Sequence, residues 1–323
     1  MFRRSPRRIG SVVATAVAVL VGLGSGVTAA AAPTIEPVAA PETPPKMAID
    51  TEPDCDRVGY TPAGAVAPMS GELCVPVGHH GDVVILIHGG GGYEGDPADV
   101  AVWRDAHLAA RRATFVIDYT LLDTGSDAAA YPRPEQNVMA AVQYIRILGS
   151  EGMLEVDDVI LHGFSAGARL AAVVATAADD PAYAGAELHQ GVSTRVDGAI
   201  LFYGYYDGSQ FHGEQYYGAA DVPVAASTIA MASADDAPVL IVHGTDDVMT
   251  DPAGAAALAD ALESEGVDVE LLLLEGENHV FDGYGTDSLT AAGAALVPVI
   301  DSYVGSVAER RSWIRPFSGR SGT

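Results

Sequence analysis

Six apolar runs, separated by segments of helical length, constrain this chain more than any other feature. They are VVILIH (83–88), ATFVID (113–118), VILH (159–162), VDGAILFY (196–203), APVLIVH (237–243) and VDVELLLL (267–274). Each is nearly continuous in apolar residues rather than alternating. That pattern reads as burial on both faces, the condition of strands in a parallel sheet covered by helices. The stretches Asp99–Arg112, Pro134–Leu148, Ala166–Ala178, Pro252–Glu265 and Ser288–Val304 have helical length and good helix formers, several with proline near the first turn. Strand–helix alternation of this kind defines an α/β fold with right-handed crossovers. Two short extended segments, Arg57–Tyr60 and Leu73–Val77, precede the regular part.

The ends of the chain read differently. MFRRSPRRIG carries Arg3, Arg4, Arg7 and Arg8, an apolar segment runs from Ser11 to Leu23, and small residues fill Ala29–Ala32. This charged, apolar, small-residue series is the anatomy of a secretory signal, so residues 1–32 are expected to be removed on export by either the Sec or the Tat route. The apolar core is shorter than the roughly 20 residues a membrane span needs, and no span is expected after cleavage. Residues 33–52, rich in Pro, Ala, Thr and Glu, read as a linker. A single domain is expected over 53–307. Within it the Tyr/Gly/Ala-rich insert at about 207–236 breaks the rhythm and reads as a small cap after the sixth strand. Residues 308–323 show no periodicity and are expected to form a disordered tail.

Charge and cysteine count narrow the context. The chain has 323 residues and a formal net charge of −26, and residues 1–32 hold four arginines and no acid, so the remainder is more negative still. Such a surface repels nucleic acid and anionic membranes. Cys55 and Cys74 are the only cysteines. In an exported protein an isolated pair reads first as a disulfide, and together with the signal it suggests a secreted or periplasmic location. No CxxC metal spacing occurs.

The chemistry concentrates in GFSAG, Gly163–Gly167, which follows a buried run and opens a helical one. That context makes G-x-S-x-G informative. A sharp strand-to-helix turn brings together the residues two before and two after Ser165, so both must be small, and the strain presents the hydroxyl above the sheet. The helix N-terminus there favours developing negative charge. His279, in EGENHVFDG beyond the last strand, can supply a base. HGTDDVMTDP, after APVLIVH, offers Asp246 and Asp247 as the orienting acid. HGGGG, His88–Gly92, can point backbone N–H groups at a substrate oxygen, and with the N–H of Ala166 it would form an oxyanion site. The rival reading of this loop is a phosphate cradle, but the only lysine, Lys46, follows proline, so no GxxxxGK[ST] motif exists.

HGGGGY, DYTL (118–121), GFSAGARLAA, YGYYDG, HGTDD and ENHVF occur in this order. Together they resemble the α/β-hydrolase superfamily, in its esterase/lipase branch that includes hormone-sensitive-lipase-like and BD-FAE-type carbohydrate esterases. The resemblance spans roughly Arg57–Val304. It implies an eight-stranded, mostly parallel sheet flanked by helices, no cofactor and no metal, and ester hydrolysis through an acyl-enzyme on Ser165. The acid, fifth residue of HGxxD, lands on Asp247, with Asp246 the runner-up. The oxyanion donors of HGGG land on Gly90 and Gly91. The chain departs from the family at Thr120, within its usual YRL, at Asn137, where an acid is common, and in the GAR that follows SA.

The reading is therefore a secreted serine hydrolase acting on a small-molecule or carbohydrate ester, with Ser165, Asp247 and His279 as its triad. The alternatives are a peptidase of the prolyl-oligopeptidase type and a catalytically inert hydrolase scaffold used for binding. His88, His162 and His243 end buried strands and are expected in structural roles. His79, His80, His107 and His189 are expected to be solvent-facing or loop-borne, and His212 lies in the cap. Tyr203, Tyr205, Tyr206, Tyr216 and Tyr217 bracket the cap, either to stack on substrate or to pack the lid.

Overall fold

A computed structural model of the chain describes residues 52–126, 128–207, 213–218 and 227–314. The expected signal segment and nearly all of the linker lie outside the described residues. So do parts of the expected cap, including His212, and residues 315–323.

Eight strands form one sheet: β1 (Asp54–Gly59), β2 (Ser70–Val75), β3 (Asp82–Ile87), β4 (Ala113–Ile117), β5 (Asp158–Phe164), β6 (Gly198–Phe202), β7 (Val239–Gly244) and β8 (Val269–Leu274). Their order across the sheet is β1-β2-β4-β3-β5-β6-β7-β8. β1 and β2 pair antiparallel, as do β2 and β4, and every other pairing is parallel. The six apolar runs thus form the parallel part. Cys55 faces Cys74 directly in the β1–β2 register, and the two are joined by a disulfide.

Residue parity sorts the core, because successive strand side chains point to opposite faces. Val83, Ile85, Ile87, Val159, Leu161, Leu201 and Ile241 face one layer. That layer is built by α2 (Arg133–Ser150), α3 (Ala166–Thr176) and α6 (Pro252–Ser264). Val84, Leu86, Ile160, Ile200, Phe202, Leu240 and Val242 face the other. There α1 (Ala101–Ala109) contributes Trp103 and Ala106, and a long C-terminal helix contributes Leu296, Ile300, Tyr303 and Val307. Burial on both faces is why these strands lack polar alternation.

Two short helices, α4 (Gly213–Tyr217) and α5 (Thr228–Met231), fall in the expected cap. The C-terminal helix, α7, spans Ala291–Ile314. It extends past Val307 and corrects the expected boundary, since the first part of the stretch read as an irregular tail is helical. Arg310 explains the continuation: it pairs with Asp268 and reaches back one turn to Ser306 Oγ at 2.6 Å. The helix thus continues through this stretch without an apolar repeat.

Candidate active site

The turn after β5 carries Ser165 at φ +52° and ψ −113°, a conformation rare for any residue with a Cβ. A Cβ placed on Gly163 would stand 2.3 Å from the Gly167 carbonyl oxygen, and one on Gly167 would stand 2.1 Å from that of Ile87. Neither position admits a side chain, as the sequence spacing required. Ser165 N–H donates to the Phe202 carbonyl at 2.9 Å, which ties the bend to β6. Ala166 opens α3, so its N–H belongs to the first turn, where amides have no partner within the helix.

His279 lies beyond β8, and its Nε2 stands 3.0 Å from Ser165 Oγ. Its Nδ1 stands 2.7 Å from Asp247 Oδ2. Of the two candidate acids it is Asp247, on the loop after β7, that meets the imidazole. Asp246 is exposed, and its N–H donates to the Glu277 carbonyl at 2.9 Å. Asp247 Oδ1 accepts from the N–H groups of Met249 at 2.8 Å and Thr250 at 2.9 Å, and Oδ2 accepts the Thr250 hydroxyl at 2.8 Å. His243 Nε2 lies 3.1 Å from the same Oδ2. Burial pushes the Asp247 carboxyl up, but the hydrogen bonds from His243, His279 and Thr250 outweigh it and hold the group well below the usual carboxylate range. The Asp247 carboxyl is thus kept ionised beside the His279 imidazole.

The segment bearing His279 is pinned at several points. Asn278 Oδ1 accepts the Val248 N–H at 3.2 Å, linking this loop to the one that carries Asp247. Val280 has φ +58°, an outlier for a β-branched residue. Three residues after His279, the fully buried Asp282 accepts from Trp103 Nε1 at 2.6 Å and Tyr203 OH at 2.9 Å. The Tyr203 ring lies edge-on to His279 at 4.8 Å between centroids.

The glycine loop follows β3. Gly90, Gly91 and Gly92 have φ of +95°, +65° and +78°. A Cβ on Gly90 would fall 2.1 Å from the Glu94 carbonyl oxygen, so only glycine closes this turn. The Gly89 carbonyl accepts from the Tyr119 hydroxyl at 3.2 Å and faces His88 Nδ1 at 2.8 Å. Because the peptide is planar and trans, anchoring the Gly89 C=O aims the Gly90 N–H the opposite way. Among the described residues neither the Gly90 nor the Gly91 N–H donates to a backbone carbonyl. The loop abuts Ser165, since a Cβ on Gly89 would lie 3.2 Å from Ser165 Cβ. Gly90–Gly95 also fits the G-x-G-x-x-G spacing of dinucleotide-binding turns. Here, however, Gly90 and Glu94 close on each other beside Ser165, and α1 begins only at Ala101.

Other expectations divide. His88 stacks on Tyr119 with centroids 4.4 Å apart. His162 is fully buried and faces His107 at 3.1 Å. His107 corrects the expectation of a solvent-facing residue: it lies on the inner face of α1 at 1 % exposure. His189 is half-buried, with Nε2 2.7 Å from the Tyr60 carbonyl. His243, expected to be structural, touches the Asp247 carboxylate. The five tyrosines bracketing the cap are all buried, so they pack rather than present open faces. Tyr216 joins a pair that sequence reading missed. Arg169 Nη2 lies 2.8 Å from Glu135 Oε1, both nearly sealed from solvent, and the Tyr216 hydroxyl bridges them at 3.2 and 3.1 Å. Among the described residues, one Cys/His/Asp/Glu group is compact enough to hold an ion, Cys55, Glu72 and Cys74, and its two sulfurs are bonded to each other.

The sheet order, the strained serine at the end of β5 and the glycine loop define an α/β-hydrolase of the esterase/lipase type. Residues 75–262 match the BD-FAE family, and the chain belongs to it. The matched span holds Ser165 and Asp247 and ends before His279. The fold is similar to that of esterase 2 from the planctomycete Thermogutta terrifontis with propionate bound, at TM-score 0.68 and 20% identity over 82% of this chain and 96% of that one. The same esterase phosphorylated by paraoxon gives TM-score 0.67 at 20% identity, over 82% and 96% of the two chains. A truncated carbohydrate esterase from gut microbiota gives TM-score 0.65 at 16% identity, over 81% and 99%. No match was found among curated proteins.

Proposed function

We propose that this protein hydrolyses carboxylic esters of small molecules or carbohydrates outside the cytoplasm, through an acyl-enzyme on Ser165. The observation that carries the reading is the unbroken line Ser165 Oγ–His279–Asp247, with links of 3.0 and 2.7 Å, built on a strained turn. Similarity to esterases supports the substrate class, and the arginine-then-apolar N-terminus with the Cys55–Cys74 bond supports export.

In this mechanism His279 Nε2 takes the Ser165 proton as Oγ attacks the acyl carbon. Asp247 holds the Nδ1–H tautomer and offsets the charge of the imidazolium. The tetrahedral oxyanion rests on the N–H groups of Gly90, Gly91 and Ala166, each donor being worth roughly 10²–10³ in rate. Collapse breaks the ester C–O bond, and His279 returns its proton to the departing alcohol. Water, activated by the same imidazole, then attacks the acyl-serine, releases the acid and restores the Ser165 hydroxyl.

The test is turnover of p-nitrophenyl acetate and butyrate, with labelling by a serine-directed phosphonate. Stoichiometric label on Ser165, and loss of turnover in Ser165→Ala and His279→Ala, are expected. Label on another residue, or full activity in His279→Ala, would overturn the assignment.

A further inference from the structure

Five residues beyond His279, Tyr284 reaches across to the glycine loop. Its hydroxyl accepts the Gly89 N–H at 2.8 Å, and its ring lies against Phe164, the residue before the nucleophile, at 5.7 Å between centroids. The hydroxyl also faces Asp99 Oδ2 at 3.4 Å, while the next N–H, of Gly285, donates to the Asp99 carbonyl at 2.8 Å. Asp99 is itself locked in a reciprocal cap with Asp96. The phenol therefore has a fixed seat that joins three segments of chain: the base loop, the glycine loop and the turn before α1.

We propose that Tyr284 is a positioning residue for the oxyanion donors, coupling the loop that carries the base to the loop that carries Gly90 and Gly91. This rests on the site reading given above. The Gly89 residue is gripped at both of its peptide groups. Its carbonyl faces His88 Nδ1 and the Tyr119 hydroxyl, whose proton is shared with the His88 carbonyl at 3.0 Å, and its N–H is held by Tyr284. With both peptide planes fixed, rotation about the single residue between them is removed, and the next N–H keeps its aim at the space beside Ser165. The arrangement also removes a competitor. A free Gly89 N–H would be a third amide in the loop, able to pull the substrate oxygen out of line. Tyr284 occupies it and leaves Gly90 and Gly91 to act. Burial and the nearby Asp99 push the Tyr284 phenol up, so it stays protonated through the working pH range.

The role differs from packing. The tyrosine contacts neither the nucleophile nor the base through its hydroxyl, so removing that one oxygen leaves Ser165, His279 and Asp247 in place. What changes is the stabilisation of the tetrahedral state, which depends on donor placement more steeply than ground-state binding does.

The experiment uses the whole mature protein with Tyr284→Phe, which keeps the ring and deletes the acceptor. Rates are expressed per serine titrated with a phosphonate, so misfolded protein does not count. The expected result is a fall in kcat of about 10- to 100-fold with KM within about twofold, as for a misplaced transition-state contact. A second readout is specific to the oxyanion: the preference for an oxygen ester over its thionoester, whose sulfur is a poorer hydrogen-bond acceptor, should shrink by a similar factor. Tyr284→Leu, which also removes ring packing, should lower thermal stability more while showing the same loss of preference. An unchanged kcat in Tyr284→Phe, or a lower kcat with the oxygen-to-sulfur preference intact, would overturn the proposal. Turnover persisting in Ser165→Ala would instead overturn the site reading, and this inference with it.

Discussion

His243 and His279 share one oxygen of Asp247: Nε2 of the first stands 3.1 Å from Oδ2 and Nδ1 of the second 2.7 Å. The carboxylate therefore gathers donors that would all lose their acceptor charge at once. Asp247→Asn should lower kcat about 10³–10⁴-fold, the scale of losing the orienting acid in a serine triad. Asp246→Asn, at an exposed neighbour, should stay within about twofold of the parent. Steady-state kinetics on one p-nitrophenyl ester decides between them. A larger loss in Asp246→Asn would reverse the assignment.

The bend under Ser165 should tolerate no enlargement. Gly163→Ala and Gly167→Ala each place a methyl within 2.3 Å of a backbone oxygen that cannot move without disturbing β3 or α3. Each should cost about 1–3 kcal/mol or more, as overpacking does. Activity should fall beyond what the population of folded protein explains. Urea midpoints measured beside kcat separate the two effects.

Arg169 and Glu135 form a sealed ion pair, with side chains 2% and 0% exposed. Removing one partner strands the other charge, so Arg169→Met should destabilise by about 3–5 kcal/mol. The double change Arg169→Met with Glu135→Leu should recover much of that loss, since no uncompensated charge remains. Chemical denaturation of the two single variants and the double one measures the coupling. Equal losses in the single and double variants would exclude it.

Acid should unfold this protein through its buried histidines. Burial lowers His162 to about 3, and burial with the neighbouring His162 and Arg112 lowers His107. In the unfolded chain both bind protons near pH 6.5, while the folded state refuses them. Stability is therefore complete above that pH and falls as pH drops toward 3. Between pH 6.5 and 5 the loss is up to about 2 kcal/mol per histidine. Asp247 acts in the same direction, because its depressed folded-state value makes its contribution vanish with further acidification. Urea midpoints at pH 7, 6 and 5 test this, and His162→Phe should flatten the slope.

Features carried by local pattern were legible in the sequence. The continuous apolar runs gave the parallel strands, and the glycines flanking Ser165 gave the strained turn. HGTDD and ENHVF set an aspartate and a histidine just beyond the ends of β7 and β8. The rest depends on contacts between distant segments. Asp282 serves Trp103 and Tyr203, from α1 and the end of β6, and nothing in FDG distinguishes it from a surface aspartate. Tyr284 meets Gly89 across a separation of 195 positions. His107 was misjudged because its neighbours on α1 include Arg104 and Asp105, which hide a buried stripe within a polar local sequence. The last turns of α7 were hidden for another reason, since their sequence carries no apolar repeat.

β8 is the outermost strand on its side of the sheet and is only partly covered, with Leu273 46% exposed, yet the loop it feeds carries the imidazole. His279 thus hangs from an edge of the sheet, while Ser165, which it faces, is rooted in the centre. Warming or mild denaturant should silence turnover by fraying that margin well before the central scaffold melts.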